Sequence, residues 1–225
     1  MGEEVGKKRI ENDDFTLFYD YDELRDGKLS KLSVDGKIEW FRHRMKAVFL
    51  SPLRKLFDQT SDVHKQLNSP PDTKWPWSAF ITATFSILLN GVEALGSFLP
   101  YSKNFVYEHN KNRGKNYFRF REFIQSYMPD WDVEITGTSY QSSYLPEILW
   151  DHFRNGIAHA FVVEGGGIEY EADPTRWEIK WGRYLEIGPI RFFEDFEKGV
   201  TNFFEDAKSK HREEFLSRFK VAYPC

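Results

Sequence analysis

The stretch Pro189–Phe219, PIRFFEDFEKGVTNFFEDAKSKHREEFLSRF, gives the clearest indication of the fold. Its large apolar residues recur at intervals of three and four positions, which is the period of one face of an α-helix. The stripe consists of Phe192, Phe196, Val200, Phe203, Phe204, Ala207, His211, Phe215 and Phe219. Charged residues fill the positions between them, so the stretch predicts an amphipathic helical segment packed on an aromatic core.

Helical patterns also precede this stretch. One begins at residue 37, and Pro52 predicts a kink or break in it near Leu50. A second, strongly apolar pattern over 79–99 is predicted to start at Ser78 as N-cap and to end at Pro100. A shorter amphipathic helix is predicted over 117–127. A third long pattern covers 145–161 and has Pro146 in its first turn, where proline is tolerated.

The segment near 161–187 changes character, because short stretches in it alternate apolar and polar residues. We interpret Gly165–Gly167 as a hairpin turn and predict a small antiparallel sheet here. The predicted fold class is therefore mainly α, an up-and-down helical bundle with a small antiparallel β insertion. Residues 1–36 are charged and turn-rich and are predicted to be irregular or a hairpin, whereas 37–225 form the helical domain.

Composition limits the function classes. The chain has 225 residues with 31 Lys and Arg against 35 Asp and Glu, a formal charge of -4, and 40% hydrophobic residues. This is a globular composition, and it argues against coating nucleic acid through bulk charge, so any phosphate binding needs a local basic patch. Cys225 is the only cysteine, which excludes a disulfide within one copy and a thiolate metal cluster.

We expect a cytoplasmic protein that does not enter membranes. The N-terminus is polar and has no apolar signal region. The apolar stretch 79–99 contains Asn90 and Glu93 near its middle, which favours a buried helix over a membrane span.

The segment LWDHFRNGIAHAF, residues 149–161, carries the chemistry. On an α-helix its polar side chains gather in one sector that faces away from the aromatic stripe: Asp151, His152, Arg154, Asn155 and His159. Arginine offers a planar fork of donors for a phosphate, histidine can give or take a proton near neutral pH, and asparagine can orient either group. Such a set suffices for metal-free cleavage of RNA. The alternative is a solvated helix face without a site.

Arg154-Asn155-x-x-x-His159 resembles the R-[N/D/H]-x-x-x-H signature of the HEPN superfamily, and the resemblance extends over the helices from about 78 to 219. The resemblance implies a helical bundle that dimerises and a metal-independent endoribonuclease, often in a prokaryotic defence or toxin–antitoxin system. Other members of the family are non-catalytic scaffolds. It further implies that Arg154 contacts the scissile phosphate, that Asn155 assists, and that His159 is the general acid or base. Toxins of the family controlled by adenylylation have Tyr where this chain has Phe161, so that regulation is not expected here.

Other side chains are candidates for supporting this site. Glu93 lies on a polar line along an otherwise apolar helix, where a buried carboxylate needs a partner. We expect it to face Arg154 or His152 and to position them, together with Asp151. The alternative is a structural hydrogen-bond network or simple exposure. Because Arg154 and His159 are five residues apart, the site is expected to be completed by a second copy of the helix across a two-fold axis.

A basic cluster with interleaved aromatic residues predicts RNA contacts, and the alternative is a solvated loop. Its candidate RNA-binding residues are Lys111, Arg113, Lys115 and Arg119. The histidines show no paired ligand spacing, so we expect no metal site and no cofactor.

The leading hypothesis is a homodimeric, metal-independent endoribonuclease with RNA as its substrate and an antitoxin or regulatory protein as a further partner. The main alternative is a non-catalytic HEPN-type module that binds nucleotides or proteins with the same helix face. A structural helical protein is the third class.

Overall fold

The computed structural model describes residues 28–66, 74–100, 114–156, 163, 165–169 and 172–223. Within these ranges the chain is mainly helical and carries one small sheet of three strands. The mainly helical fold class is therefore confirmed. The up-and-down topology and the HEPN-like assignment stay predictions.

The first helices begin earlier than predicted. α1 spans Lys28–Lys31 and α2 spans Val34–Met45, so helix occupies part of the segment 1–36 that we predicted to be irregular or a hairpin. Ser33 caps α2, since its hydroxyl oxygen accepts a 3.1 Å hydrogen bond from the backbone N–H of Gly36. The rest of that segment lies outside the described residues, and the domain boundary after it stays a prediction.

The predicted break near Leu50 is present as a π-helical segment. Lys46–Leu50 winds as a π-helix (π1) between α2 and α3, and α3 spans Ser51–Gln66. Pro52 has no backbone N–H, and its ring crowds the carbonyl four positions back. The wider π-helical winding relieves this crowding, because Ser51, the residue before the proline, donates its N–H to the carbonyl of Lys46, five positions back.

Both ends of the apolar helix, α4, lie earlier in the chain than predicted. It spans Lys74–Gly96 instead of 79–99. Ser78 therefore lies inside the helix, and its predicted role as N-cap is wrong. The residues between the helix and Pro100 form turns. Of the helices in the described ranges, none combines the length and the apolar character needed to cross a membrane.

α5 spans Lys115–Tyr127 and crosses α4 at close range. A β-carbon placed on Gly96 would lie only 1.8 Å from the backbone oxygen of Arg119. The missing side chain thus allows the two helix backbones to touch, which brings α5 over the core. A short 3-10 turn, Pro129–Trp131, follows α5 and buries its tryptophan completely.

The helix that carries the Arg154-Asn155-x-x-x-His159 motif, called the motif helix below, departs from α-helical winding at the motif itself. α6 spans Leu145–Ile148, and a π-helical segment (π2) follows over Leu149–Arg154. The backbone N–H of Asn155 donates to the carbonyl of Trp150, five residues earlier. Helix is thus confirmed as far as the structure describes it, but the α-helical rotation that we assumed for the polar sector does not apply across π2. The end of the predicted helix, 157–162, lies outside the described residues.

The sheet is mixed, so the prediction of an antiparallel insertion is wrong in part. β1 (Gly166–Ile168) pairs in parallel with β3 (Tyr184–Ile187), and β2 (Trp177–Lys180) pairs antiparallel with β3. The strand order is β1-β3-β2. β1 therefore pairs with a strand beyond its neighbour in sequence, which a local alternation of residues does not reveal.

Gly166 and Gly167, which we predicted to lie in a hairpin turn, are strand residues beneath two tyrosines. A β-carbon on Gly166 would lie 2.4 Å from the hydroxyl oxygen of Tyr140. One on Gly167 would lie 2.8 Å from that of Tyr184. The glycines thus let the tyrosine side chains lie directly against the strand backbone.

The apolar stripe at the end of the chain belongs to two helices. α7 spans Pro189–Ser209 and α8 spans Arg212–Ala222. His211, which we placed on the stripe, lies between them and is half-buried. The other stripe residues are buried as predicted. The aromatic residues of this core include Phe41, Phe98, Phe123, Phe192, Phe196, Phe203, Phe204, Phe215 and Phe219.

Candidate functional site

Arg154 lies at the end of π2 and is held by three neighbours. Its Nη2 donates to Oε2 of Glu93 at 2.9 Å, and its Nη1 donates to Oδ1 of Asn155 at 2.9 Å. The guanidinium carbon lies 4.7 Å from the ring centroid of Trp150, a cation–π distance. Of the two partners that we expected for Glu93, Arg154 is the one it contacts, and this bond joins α4 to π2.

The Arg154–Glu93 ion pair is partly shielded from solvent. The side chains retain 22% and 15% of their exposure, respectively. A guanidinium has five N–H donors, and two of them serve these bonds to described residues. The Arg154 Nε atom is buried and has no hydrogen-bond partner within the described part of the chain. The neighbours thus orient the guanidinium. Because Nε is buried, an anionic ligand would have to bind through the second N–H of Nη1 or Nη2, which these two bonds do not use.

The other members of the motif are described in part. Asn155 is half-buried beside Arg154, and its amide oxygen serves the arginine. His159 lies outside the described residues, so its predicted role as acid or base stays a prediction.

A cleft of about 850 Å³ opens beside the motif helix. Its lining includes Asp151 and His152 from π2, Tyr140 from the preceding loop, and Arg183 and Tyr184 from the sheet. The His152 ring lies on Tyr140 with centroids 4.3 Å apart and planes inclined by 36°. Asp151 and His152, which we grouped with Glu93 as supporting residues of the site, thus line this cleft.

Polar groups inside the cleft are ordered by hydrogen bonds. Glu147 accepts from the hydroxyl of Ser142 at 2.6 Å and from that of Tyr117 at 3.4 Å. Burial, followed by the carboxylates of Glu169 and Glu186, raises the pKa of Tyr184 above its ordinary value. The Tyr184 hydroxyl, like an ordinary tyrosine, is protonated at neutral pH, and the shift extends that state to higher pH.

The predicted RNA-binding cluster is only partly described. Lys111 and Arg113 lie outside the described residues. Lys115 is exposed in the first turn of α5, and Arg119 donates to Oδ1 of Asn116 at 3.3 Å. The first turn of α5 lies near the motif, since the rings of Tyr117 and Trp150 have centroids 5.9 Å apart.

Three cleft residues were missed from the sequence: Tyr140, Arg183 and Tyr184. Each lies in a loop or strand to which we assigned no function. The only signal available was an aromatic or cationic side chain beside a turn, which is too common to single out a site. In the described ranges, no three or more His, Cys, Asp or Glu residues are grouped so that they could hold a metal ion.

In comparisons with known proteins, the chain matches no protein-family model, no curated protein and no solved structure.

Proposed function

We propose that this protein is a metal-independent endoribonuclease that cleaves RNA by attack of a 2′-hydroxyl on the adjacent phosphate. The observation that carries the proposal is the Arg154 guanidinium, which Glu93 and Asn155 orient through one N–H of each Nη atom. A preoriented cation beside a phosphate is what this reaction needs, because negative charge builds on the phosphoryl oxygens in the transition state. The π-helical winding at Arg154 supports the proposal, since single π turns are frequent at functional sites.

The reaction requires one group to remove a proton and one to deliver a proton. A base takes the proton of the 2′-hydroxyl, the 2′-oxygen bonds to phosphorus, and the bond from phosphorus to the 5′-oxygen breaks. An acid then protonates the leaving 5′-oxygen, which yields a 2′,3′-cyclic phosphate and a 5′-hydroxyl. We assign His159 to one of these proton transfers and Arg154 to the phosphate. Asn155 keeps the guanidinium in place.

The setting that we propose follows from the resemblance to the HEPN superfamily. It is a cytoplasmic homodimer in a prokaryotic defence or toxin–antitoxin system, with RNA as substrate and an antitoxin or regulatory protein as partner. The second copy would complete the site, because on an ideal α-helix two residues five positions apart, as Arg154 and His159 are in sequence, do not grip the same atom.

A non-catalytic module that binds nucleotides or proteins is the second candidate. The Arg154–Glu93 ion pair favours it, because a guanidinium already paired with a carboxylate binds a phosphate less strongly than an unpaired one. In that case the same helix face would recognise a ligand without cleaving it.

Cleavage assays in EDTA discriminate these candidates. Purified protein is incubated with mixed single-stranded RNAs, and the wild type is compared with Arg154→Ala and His159→Ala. The exposed His43→Ala and Lys220→Ala serve as matched controls. The proposal requires cleavage in EDTA that both motif variants lose and both controls keep. Nucleotide binding without cleavage of any RNA would support the module instead.

A further inference from the structure

The turn between β2 and β3 places a tryptophan where the backbone disfavours it. Trp181 and Gly182 have φ angles of 52° and 68°, and the backbone N–H of Arg183 donates to the carbonyl of Lys180 at 3.1 Å. A two-residue hairpin turn with both central φ angles positive favours asparagine followed by glycine. A bulky side chain at the first of these positions is strained.

Trp181 is also one of the most exposed large apolar residues of the described chain, with 81% of its surface accessible. Both the strained backbone and the exposed indole lower stability, and no burial of the indole offsets them. An observed backbone outlier of this kind, at a side chain that stays largely exposed, points to a functional constraint.

The indole is continuous with the cleft. Its ring lies 5.6 Å from that of Tyr184, and Tyr184 lines the cleft next to Arg183. On another part of the lining, Tyr140 stacks on His152 of the motif helix. Two pairs of rings thus border the cleft, one at the tip of the hairpin and one at π2.

Arg183 adds a positive charge to this surface. It is exposed, and its side chain forms no ion pair or hydrogen bond with any other described residue. The hairpin that carries it is fixed to the neighbouring loop, because the backbone N–H of Ser139 donates to the carbonyl of Arg183 at 3.1 Å. Tryptophan, tyrosine and arginine side chains are the groups that hold unpaired bases and their phosphates.

We propose that the hairpin tip and the cleft bind unpaired nucleotides of single-stranded RNA, with a base stacked on Trp181 and a phosphate on Arg183. The inference deepens the proposed function and rests on it for the choice of RNA as ligand. It also assigns a purpose to the β insertion, which delivers the strand toward the motif helix. A duplex does not fit this role, since its bases are already stacked and do not present their faces to an indole.

Equilibrium binding to an uncleavable strand tests the inference. A 2′-O-methyl oligoribonucleotide, labelled for fluorescence anisotropy, is titrated with wild type and with Trp181→Asn, alone and annealed to its complement. Asparagine suits the turn, so the unfolding free energy should stay equal or rise. Loss of one stacked base predicts that Trp181→Asn binds the single strand about 5- to 100-fold more weakly. Val221→Asn, at another exposed apolar position, should bind as the wild type does.

The outcomes separate this inference from the proposed chemistry. Wild-type affinity in Trp181→Asn, equal affinity for strand and duplex, or no binding of RNA by the wild type would each overturn the RNA-binding surface. If the single strand binds through Trp181 but no RNA is cleaved, the surface stands and the ribonuclease proposal fails. If RNA is cleaved while Trp181→Asn binds normally, the ribonuclease proposal stands and the surface fails.

Discussion

The guanidinium of Arg154 is oriented before any ligand arrives. Glu93 fixes one end of its fork, Asn155 fixes the other, and Trp150 covers one face. Ordering such a long side chain costs conformational entropy. Because these contacts order it when the protein folds, that entropy is not lost again when a ligand binds. A phosphate that binds here would find its donors already in place, which lowers the barrier of any reaction at phosphorus.

Glu93→Gln separates positioning from folding. The amide keeps the shape and one acceptor of the carboxylate but removes its charge, so the orientation of Arg154 weakens while the helices stay packed. We expect kcat to fall about tenfold while the unfolding free energy changes by less than about 1 kcal/mol. Single-turnover cleavage and urea denaturation measure the two quantities.

Another partly buried ion pair between helices provides a matched control. Glu197 bonds to Arg54 in a partly buried contact between α7 and α3, away from the motif. Glu197→Gln should therefore leave kcat unchanged. A Glu93→Gln protein that unfolds, or one that cleaves RNA as fast as the wild type, would mean that Glu93 serves structure alone.

At the scale of helices, the α4–α5 crossing depends on the absence of one side chain. Gly96→Ala places a methyl group against the backbone oxygen of Arg119. Because Gly96 is the last residue of α4, it gains less than the roughly 1 kcal/mol of helix propensity that alanine brings to a helix interior. Because backbone cannot rotate away as a side chain does, we expect a net loss of about 2 kcal/mol of unfolding free energy. Thermal and chemical denaturation measure the change.

Gly114 provides the control for this substitution, since no atom of the described residues lies within 4 Å of a β-carbon placed there. Gly114→Ala alters only the N-cap of α5 and should cost less than about 1 kcal/mol. Equal effects of the two substitutions would show that the crossing tolerates a side chain at Gly96.

The contact between α2 and α7 should make stability depend on pH. A 2.6 Å ion pair joins Glu39 to Lys208, and the hydrogen bond from that lysine lowers the pKa of Glu39 below its ordinary value of 4.5. A depressed carboxyl pKa stabilises the fold above the unfolded pKa and loses this contribution as the pH falls through the folded pKa. The pair is half-exposed, so its contribution is below about 1 kcal/mol.

Glu39→Gln tests this linkage. Its unfolding free energy should be lower than that of the wild type at pH 7, and the two curves should converge as the pH falls below 4.5. Urea denaturation at a series of pH values provides the measurement. A difference that stays constant down to pH 3 would show that the pair does not depend on the charge of Glu39.

Periodicity predicted the helices because burial of one face is a local property. The apolar stripe of α7 and α8 is buried at almost every predicted position, and the alternating segments that became β2 and β3 are strands. The pairing of β1 with β3 was not predictable in this way, because it depends on a partner about twenty residues away. The winding of π2 was likewise hidden, since the same residues also fit an α-helix.

At the scale of the molecule, some residues of the candidate site could be identified from the sequence and others could not. Arg154 and Asn155 are adjacent in sequence, and a carboxylate on an apolar helix predicted a partner for Glu93. The cleft instead joins a loop, the motif helix and the hairpin, which are far apart along the chain. Only tertiary folding brings their tyrosines and Arg183 together.

If the active site is shared between the two copies of a dimer, two inactive variants should complement each other. If each site takes Arg154 from one copy and His159 from the other, mixing two inactive variants restores intact sites. Equal amounts of Arg154→Ala and His159→Ala, unfolded and refolded together, should recover about a quarter of the wild-type activity, because half the dimers are mixed and each has one intact site.

Analytical ultracentrifugation of the refolded mixture confirms that dimers have formed. Arg154→Ala refolded alone is the control and should remain inactive. A mixed dimer that is no more active than either variant would place both groups of each site on the same copy.

The chemistry of the RNA ends tests the central proposal most directly. Wild-type protein is incubated with a defined RNA in EDTA, and the masses of the fragments are measured by mass spectrometry. Attack by the 2′-hydroxyl predicts a 2′,3′-cyclic phosphate on the upstream fragment and a 5′-hydroxyl on the downstream one, both lost in Arg154→Ala. Fragments with a 3′-hydroxyl and a 5′-phosphate, or RNA left intact by the wild type, would contradict it.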